Sequence, residues 1–166
     1  MKKLVFTVLA ACVLAGCSVL REGDGMTRAE RKEAKRNMIT NALDGRRYVI
    51  EVRTANPQRY TQVPLDYGYS LEIAGDTLKS YLPYYGRAYN IPYGGGKGLN
   101  FTAPISGYDD RGSRRGVRHI ELTAKNDEDT YLYIIDVSDS GYATIDVSSR
   151  ERERISFNGE MSLAMP

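Results

Sequence analysis

The stretch SYLPYYGRAYNIPYGGGKGLNF, residues 80 to 101, holds five of the chain's 13 tyrosines and five of its 16 glycines, and its Gly-Gly-Gly-Lys run invites comparison with a phosphate cradle. A Walker-type loop needs glycine, four residues, then Gly-Lys-Ser/Thr, so that backbone amides wrap the phosphates and a hydroxyl meets the metal. Counting back from Gly96-Lys97 puts Ile91 at the first glycine position, and Gly98 stands where the hydroxyl is needed. That spacing excludes nucleotide hydrolysis by this route. His119 is the only histidine, which removes two-histidine zinc sites, and no Gly-x-Ser-x-Gly elbow supplies it with an activated serine. On a strand it shares a face with Glu121 and Thr123, opposite Ile120 and Leu122, and reads as exposed. Asp109-Asp110 and Asp127-Glu128-Asp129 lack the alternating carboxylates and glycine of a calcium loop and read as solvated turns. Carboxylate pairs for sugar cleavage are defined by separation in space, so hydrolysis stays as a minor class. With no catalytic or metal motif, the chain reads as non-enzymatic and requires no cofactor.

Two groups of residues remain as binding candidates. Arg111, Arg114, Arg115 and Arg118 fall in a Gly-rich segment read as a loop, where guanidinium forks suit phosphate or lipid headgroups while Asp109 and Asp110 offset part of the charge. The tyrosines carry more of the signal. Each joins a large apolar ring to a hydroxyl at little cost in rotamer entropy, which suits interfaces and sugar-stacking platforms. The segment between Pro83 and Leu99 is too long for a tight hairpin and so has the character of a functional loop. The candidate site is therefore Tyr81, Tyr84, Tyr85, Arg87, Tyr89, Tyr93, Lys97 and Phe101. The plain alternative is that these rings cap an open barrel end and tie down a loop short of other apolar groups.

The elements that must position them begin after a removable leader. Lys2 and Lys3 precede an apolar run from Leu4 to Ala15, the composition of a secretory signal peptide. Its twelve residues would reach roughly 18 Å as a helix, against roughly 30 Å of hydrocarbon. Leu14-Ala15-Gly16-Cys17 resembles the lipobox of bacterial lipoprotein precursors. That resemblance implies cleavage before Cys17, acylation of Cys17, and a membrane anchor of three chains that needs no transmembrane helix. Residues 1–16 are then signal, 17–26 a lipidated tether, 27–44 a helix, and 45–166 one β-rich domain. The mature domain keeps no thiol, because Cys12 leaves with the signal and Cys17 is acylated. Loss of Lys2 and Lys3 takes the formal charge from +2 to zero, which gives no reason to expect nucleic acid as a partner.

Thr27-x-x-Glu30 has the form of a capping box and opens the helix. Ala34, Met38, Ile39, Ala42 and Leu43 form its apolar stripe, and Asp44-Gly45 ends it with glycine as a left-handed cap. Period-two alternation then predicts strands at 48–53 (closed by Asn56-Pro57), 70–74, 99–103, 117–125 and 131–137, with Leu78, Ser80 and Leu82 continuing the alternation after Gly75-Asp76, Ala143, Ile145 and Val147 sharing a face after Ser140-Gly141, and a last strand carrying Ile155, Phe157, Met161 and Leu163. Asn158-Gly159 reads as a turn or bulge inside that last strand, and a break is needed within Ser148 to Arg154 because Glu151 and Glu153 would otherwise face the core. Seven or eight such strands with no intervening helix imply a mainly β antiparallel meander curling into a barrel or sandwich, with one N-terminal helix.

The run Leu82-Pro83-Tyr84-Tyr85-Gly86-Arg87-Ala88-Tyr89, with Gly75-Asp76 before it and Leu99-Asn100-Phe101 after it, resembles a family of lipoproteins called domain of unknown function 4251. The similarity runs from about Tyr48 to Gly159 and includes Arg152-x-x-x-Ile-Ser-Phe-Asn-Gly159. It implies a small, secreted, lipidated β-domain in the Gram-negative envelope and transfers no catalytic residue. Ser18, where an aspartate would signal inner-membrane retention, points to the outer membrane, and the lack of an acidic run after Cys17 favours its periplasmic face. The expected function is a binding module for an envelope protein, a peptide or a small apolar or sugar ligand. The alternative is a structural or assembly lipoprotein without a discrete pocket.

Overall fold

Period-two burial is the rule that builds this chain. A computed structural model describes residues 25–89 and 98–162. Among them, helix α1 (Arg28–Asp44) precedes nine strands: β1 (Arg47–Pro57), β2 (Val63–Pro64), β3 (Ser70–Ala74), β4 (Thr77–Leu82), β5 (Leu99–Arg114), β6 (Val117–Lys125), β7 (Thr130–Ser138), β8 (Tyr142–Ser149) and β9 (Ile155–Ser162). From β3 to β9 each strand pairs antiparallel with the next, and β1 pairs with both β3 and β9. Eight strands thus close into a barrel, and β2 adds to the far half of β1 through Ala55 and Val63.

Inward positions are apolar and nearly all buried. Ile50, Val52, Leu71, Ile73, Leu78, Ile120, Leu122, Ile135, Ile145 and Phe157 fill the interior with Tyr131 and Tyr133. A buried tyrosine needs a partner for its hydroxyl. Tyr133 donates to Ser80 Oγ at 3.2 Å, and Ser80 donates in turn to the Leu99 carbonyl at 2.7 Å. Burial pushes the Tyr133 hydroxyl well above its ordinary range. Outward positions carry Glu72, Lys79, Glu121 and Asp136 instead, the pattern of a barrel whose wall faces water.

The chain divides into two units, Met1–Arg31 and Lys32–Pro166. In the first, Thr27 and Glu30 form the expected capping box: the Thr27 amide donates to Glu30 Oε2 at 2.6 Å and the Glu30 amide to Thr27 Oγ1 at 3.2 Å. In the second, Ile39 and Leu43 join the barrel core, Arg36 pairs with Asp139 at 3.5 Å, and Asp44 pairs with Arg118 at 2.6 Å. All of these partners lie at the barrel end where β1 begins. Gly141 takes φ 87 in the β7–β8 turn there, and any Cβ on it would sit 3.2 Å from Ile39 Cδ1.

Several expectations need correction. β5 continues to Arg114 instead of ending at Ala103, so Asp109, Asp110, Arg111 and Arg114 lie on a strand and only Arg115 lies in the following turn. Bulges at Ser106 and at Arg111-Gly112 absorb the extra residues against β6, which is how glycine and aspartate sit inside a strand. The left-handed residue after the helix is Arg46, at φ 49, and not Gly45. The Arg46 guanidinium stacks 4.2 Å from the Tyr108 ring, and its carbonyl accepts from the Gly75 amide at 2.8 Å, contacts that offset the backbone strain. Met38 is 50% exposed and belongs to the outer face of α1. β1 does not stop before Asn56-Pro57; it pairs with β9 through both. The two-residue β2 went unforeseen.

The irregularity expected at Asn158-Gly159 is present, but the extra residue is Arg53 on β1: Val52 pairs with Gly159 and Thr54 with Asn158. A Cβ at Gly159 would overlap the Glu51 carbonyl oxygen and lie 3.0 Å from Val52 Cα. Gly159→Ala should therefore cost roughly 2 kcal/mol or more in urea unfolding, while Gly107→Ala, whose Cβ would meet only Thr123 at 3.9 Å, should stay within about 0.5 kcal/mol. Equal losses at the two positions would contradict the close-approach account.

Candidate functional site

At the barrel end opposite the α1 contacts, the β4–β5 and β8–β9 connections meet. Ala88 and Arg152 form an isolated antiparallel bridge. The Tyr89 amide donates to the Glu151 carbonyl at 2.8 Å, and the Glu153 amide donates to the Arg87 carbonyl at 3.0 Å. Glu153 is 8% exposed, which requires partners. Arg59 supplies one, Nε to Oε1 at 2.8 Å, and the Arg87 amide another at 3.3 Å. The break foreseen in Ser148 to Arg154 is thus a turn whose charges serve the neighbouring loop.

Tyr84 locks the same junction. Its hydroxyl lies 2.9 Å from the Arg87 carbonyl and 3.0 Å from the Glu153 carbonyl, so one proton is shared between the two. Burial and the nearby Glu153 carboxylate raise its pKa. The Arg152 guanidinium sits 5.3 Å from the Tyr84 ring centroid and donates to Glu128 Oε2 at 3.1 Å. Arg152 is nearly enclosed, its side chain 8% exposed. Burial opposes its charge, but the Tyr131 hydroxyl and Glu128 outweigh that and shift its pKa upward.

Beside this junction lies an open cleft of about 370 Å³, lined chiefly by Tyr69, Tyr81, Pro83, Tyr84, Asn100 and Arg152. Its size falls at the low end of small-molecule sites, roughly 300 to 1,000 Å³. Tyr81 faces outward from β4, where Asn100 of β5 stands opposite it in register. The Tyr69 and Tyr81 rings stack with centroids 5.5 Å apart and planes 21° apart.

The expected site residues divide among three situations. Tyr81 and Tyr84 line the cleft together. Tyr85, Arg87 and Tyr89 are exposed on the adjoining loop, while Phe101 turns inward and packs on Tyr131 at 4.8 Å between centroids. Cys17, Tyr93 and Lys97 lie outside the described residues, with Leu163. Tyr69, Asn100 and Arg152 were missed. Register places Asn100 beside Tyr81, and the Ala88 bridge brings in Arg152 from far along the sequence; the sequence signals were that charges at 151–154 broke an apolar alternation and that Asn100 and Arg152 fall in the runs that carry the family resemblance.

The arginine cluster does not form one site. Arg118 is held by Asp110 and Asp44, and hydrogen bonding to Asp110 raises its pKa. Arg111 bridges Asp109 at 3.2 Å and Glu121 at 2.8 Å on the outer wall. The same ladder includes His119, with Nδ1 2.6 Å from Asp136 and Nε2 3.2 Å from Glu121. Among the described residues no three His, Cys, Asp or Glu side chains converge as metal ligands, and no helix is long and apolar enough to cross a membrane.

Residues 30–161 match the model of the domain of unknown function family DUF4251. A crystal structure of a DUF4251 family protein from Bacteroides eggerthii DSM 20697 superposes with a TM-score of 0.59 at 12% identity, covering 77% of this chain and 87% of that one. At that identity the likeness concerns the fold. No curated protein matches the sequence.

The His119 ladder generates a pH dependence. Hydrogen bonds to Asp136 and then Glu121 raise its pKa above 6.5, so the folded state favours the imidazolium. Its stabilisation is complete below the unfolded value and is lost as pH rises through the folded value. The melting-temperature advantage of the wild type over His119→Gln should therefore shrink over the window that opens at about pH 6.5 and runs upward. An advantage that grows over this window would contradict the pairing.

Proposed function

We propose that the chain, which belongs to the DUF4251 family, is an envelope lipoprotein whose barrel is a non-enzymatic binding module acting through the Tyr69–Tyr81–Arg152 cleft. The observation that carries this reading is where the aromatic rings lie. Tyr131, Tyr133 and Phe157 already fill the interior, yet Tyr81 is 45% exposed and Tyr89 68% exposed at the same end of the barrel. Clustered exposed rings beside a concave polar floor are characteristic of recognition surfaces. Tyr84 has a different task, since its hydroxyl holds the loop, and so the plain alternative of loop anchoring applies to Tyr84 and not to Tyr81.

The anchor is Cys17 of the Leu-Ala-Gly-Cys sequence, and the outer membrane, periplasmic face, is the proposed location. In cell fractionation the wild type should follow the outer membrane and Cys17→Ala should be released in soluble form; a membrane-bound Cys17→Ala protein would contradict the anchor.

The cleft is tested by photo-crosslinking in intact cells. A photoreactive residue at position 81 should give a discrete adduct, or native mass spectrometry of the extracted protein should give a bound mass that Tyr81→Ala loses. The same probe at Leu132, exposed on the outer wall, should give neither. Matching results at 81 and 132 would favour the structural role without a discrete pocket.

A further inference from the structure

We propose that the cleft takes a saccharide bearing a carboxylate, a uronic-acid type of sugar, with Arg152 pairing the acid and the Tyr69–Tyr81 pair supporting the ring. This rests on the binding-module reading above and specifies its ligand class.

Arg152 is the charged side chain among the cleft's lining residues and is more than nine-tenths buried. A guanidinium carries five N–H donors in a rigid fork. Glu128 Oε2 takes one of these at 3.1 Å, and Arg152 lines the cleft, where the planar fork of a guanidinium suits a carboxylate. The surroundings set the charge of the anion. Glu128 already pairs with the same arginine, so a singly charged carboxylate meets less repulsion there than a phosphate of nearly two charges.

The remaining lining selects the rest of the ligand. Lipid-like acids need an enclosed apolar slot, whereas this cleft is open and presents tyrosines and the Asn100 amide. A pyranose has an apolar C–H face and a rim of hydroxyls. Tyr81 offers the ring surface, held in place by its stack on Tyr69, and Asn100 directly opposite Tyr81 supplies a donor and an acceptor for neighbouring hydroxyls.

The test is calorimetric titration of the full chain with tetragalacturonate and, as neutral control, maltotetraose. The uronate should bind at least about tenfold more tightly at about pH 7, the ratio that one charge-assisted hydrogen bond supplies. Tyr81→Ala should weaken uronate binding at an unchanged fold, and Arg152→Lys should abolish the preference over the neutral sugar. If Arg152→Lys fails to fold, the two probes on wild type and Tyr81→Ala still decide. Equal binding of both sugars would overturn the carboxylate inference and leave the binding module standing. Binding of neither would overturn the inference, and only the additional loss of crosslinks or bound mass at position 81 would remove the binding module as well.

Discussion

β1 can pair with β9 only because Gly159 lets two backbones meet where β1 carries its extra residue, Arg53. The bulge moves burial along β1 from Tyr48, Ile50 and Val52 to Ala55 and Pro57, a shift of one in the alternation. Without that shift the second half of β1 would present Thr54 and Asn56 to the core. The seam also removes two sheet edges, which are otherwise open to pairing with other chains. The Arg152 side of the cleft depends on this closure, because Ile155 next to the Glu153 turn pairs with Pro57.

Closure and filling together determine what the tyrosines do. Tyr131 and Tyr133 are large enough to occupy the lumen, and the Ser80 hydroxyl gives Tyr133 a polar partner inside it. Phe101 packs onto Tyr131 and completes the loop end from within. Tyr48 and Phe157 are buried with them, and the remaining rings contribute less to the core. Tyr84 is intermediate: half-buried against the core, it ties two loops through carbonyls of Arg87 and Glu153. The described part of the tyrosine-rich stretch is thus partly a clasp and partly an exposed surface, and Tyr81 and Tyr84 mark the division.

Much of this was legible in the sequence. β3 and β6 fall on the expected residues because their alternation is clean and glycine- or asparagine-containing turns bound them. The second half of β5 was not, since Gly107, Asp109, Asp110 and Gly112 have turn chemistry locally, and only pairing with β6 across two bulges makes them a strand. At the end of α1, propensity selects Gly45 for the left-handed position, but the contacts of Arg46 with Tyr108 and Gly75 prevail. The cleft was half legible. Tyr81 and Tyr84 stood out by type, whereas Tyr69, Asn100 and Arg152 reach them through register and a bridge between distant segments, and no local pattern encodes that.

The central claim is that the barrel is filled independently of the cleft surface, so Tyr81 is available for recognition. Urea unfolding of Tyr81→Ala beside Tyr131→Ala tests it most directly. The account predicts a loss of no more than about 1.5 kcal/mol at Tyr81, the scale of one lost ring stack, and about 3 to 5 kcal/mol at the fully buried Tyr131. A loss at Tyr81 as large as that at Tyr131 would mean that the exposed ring is a plug of the barrel, and would contradict the account.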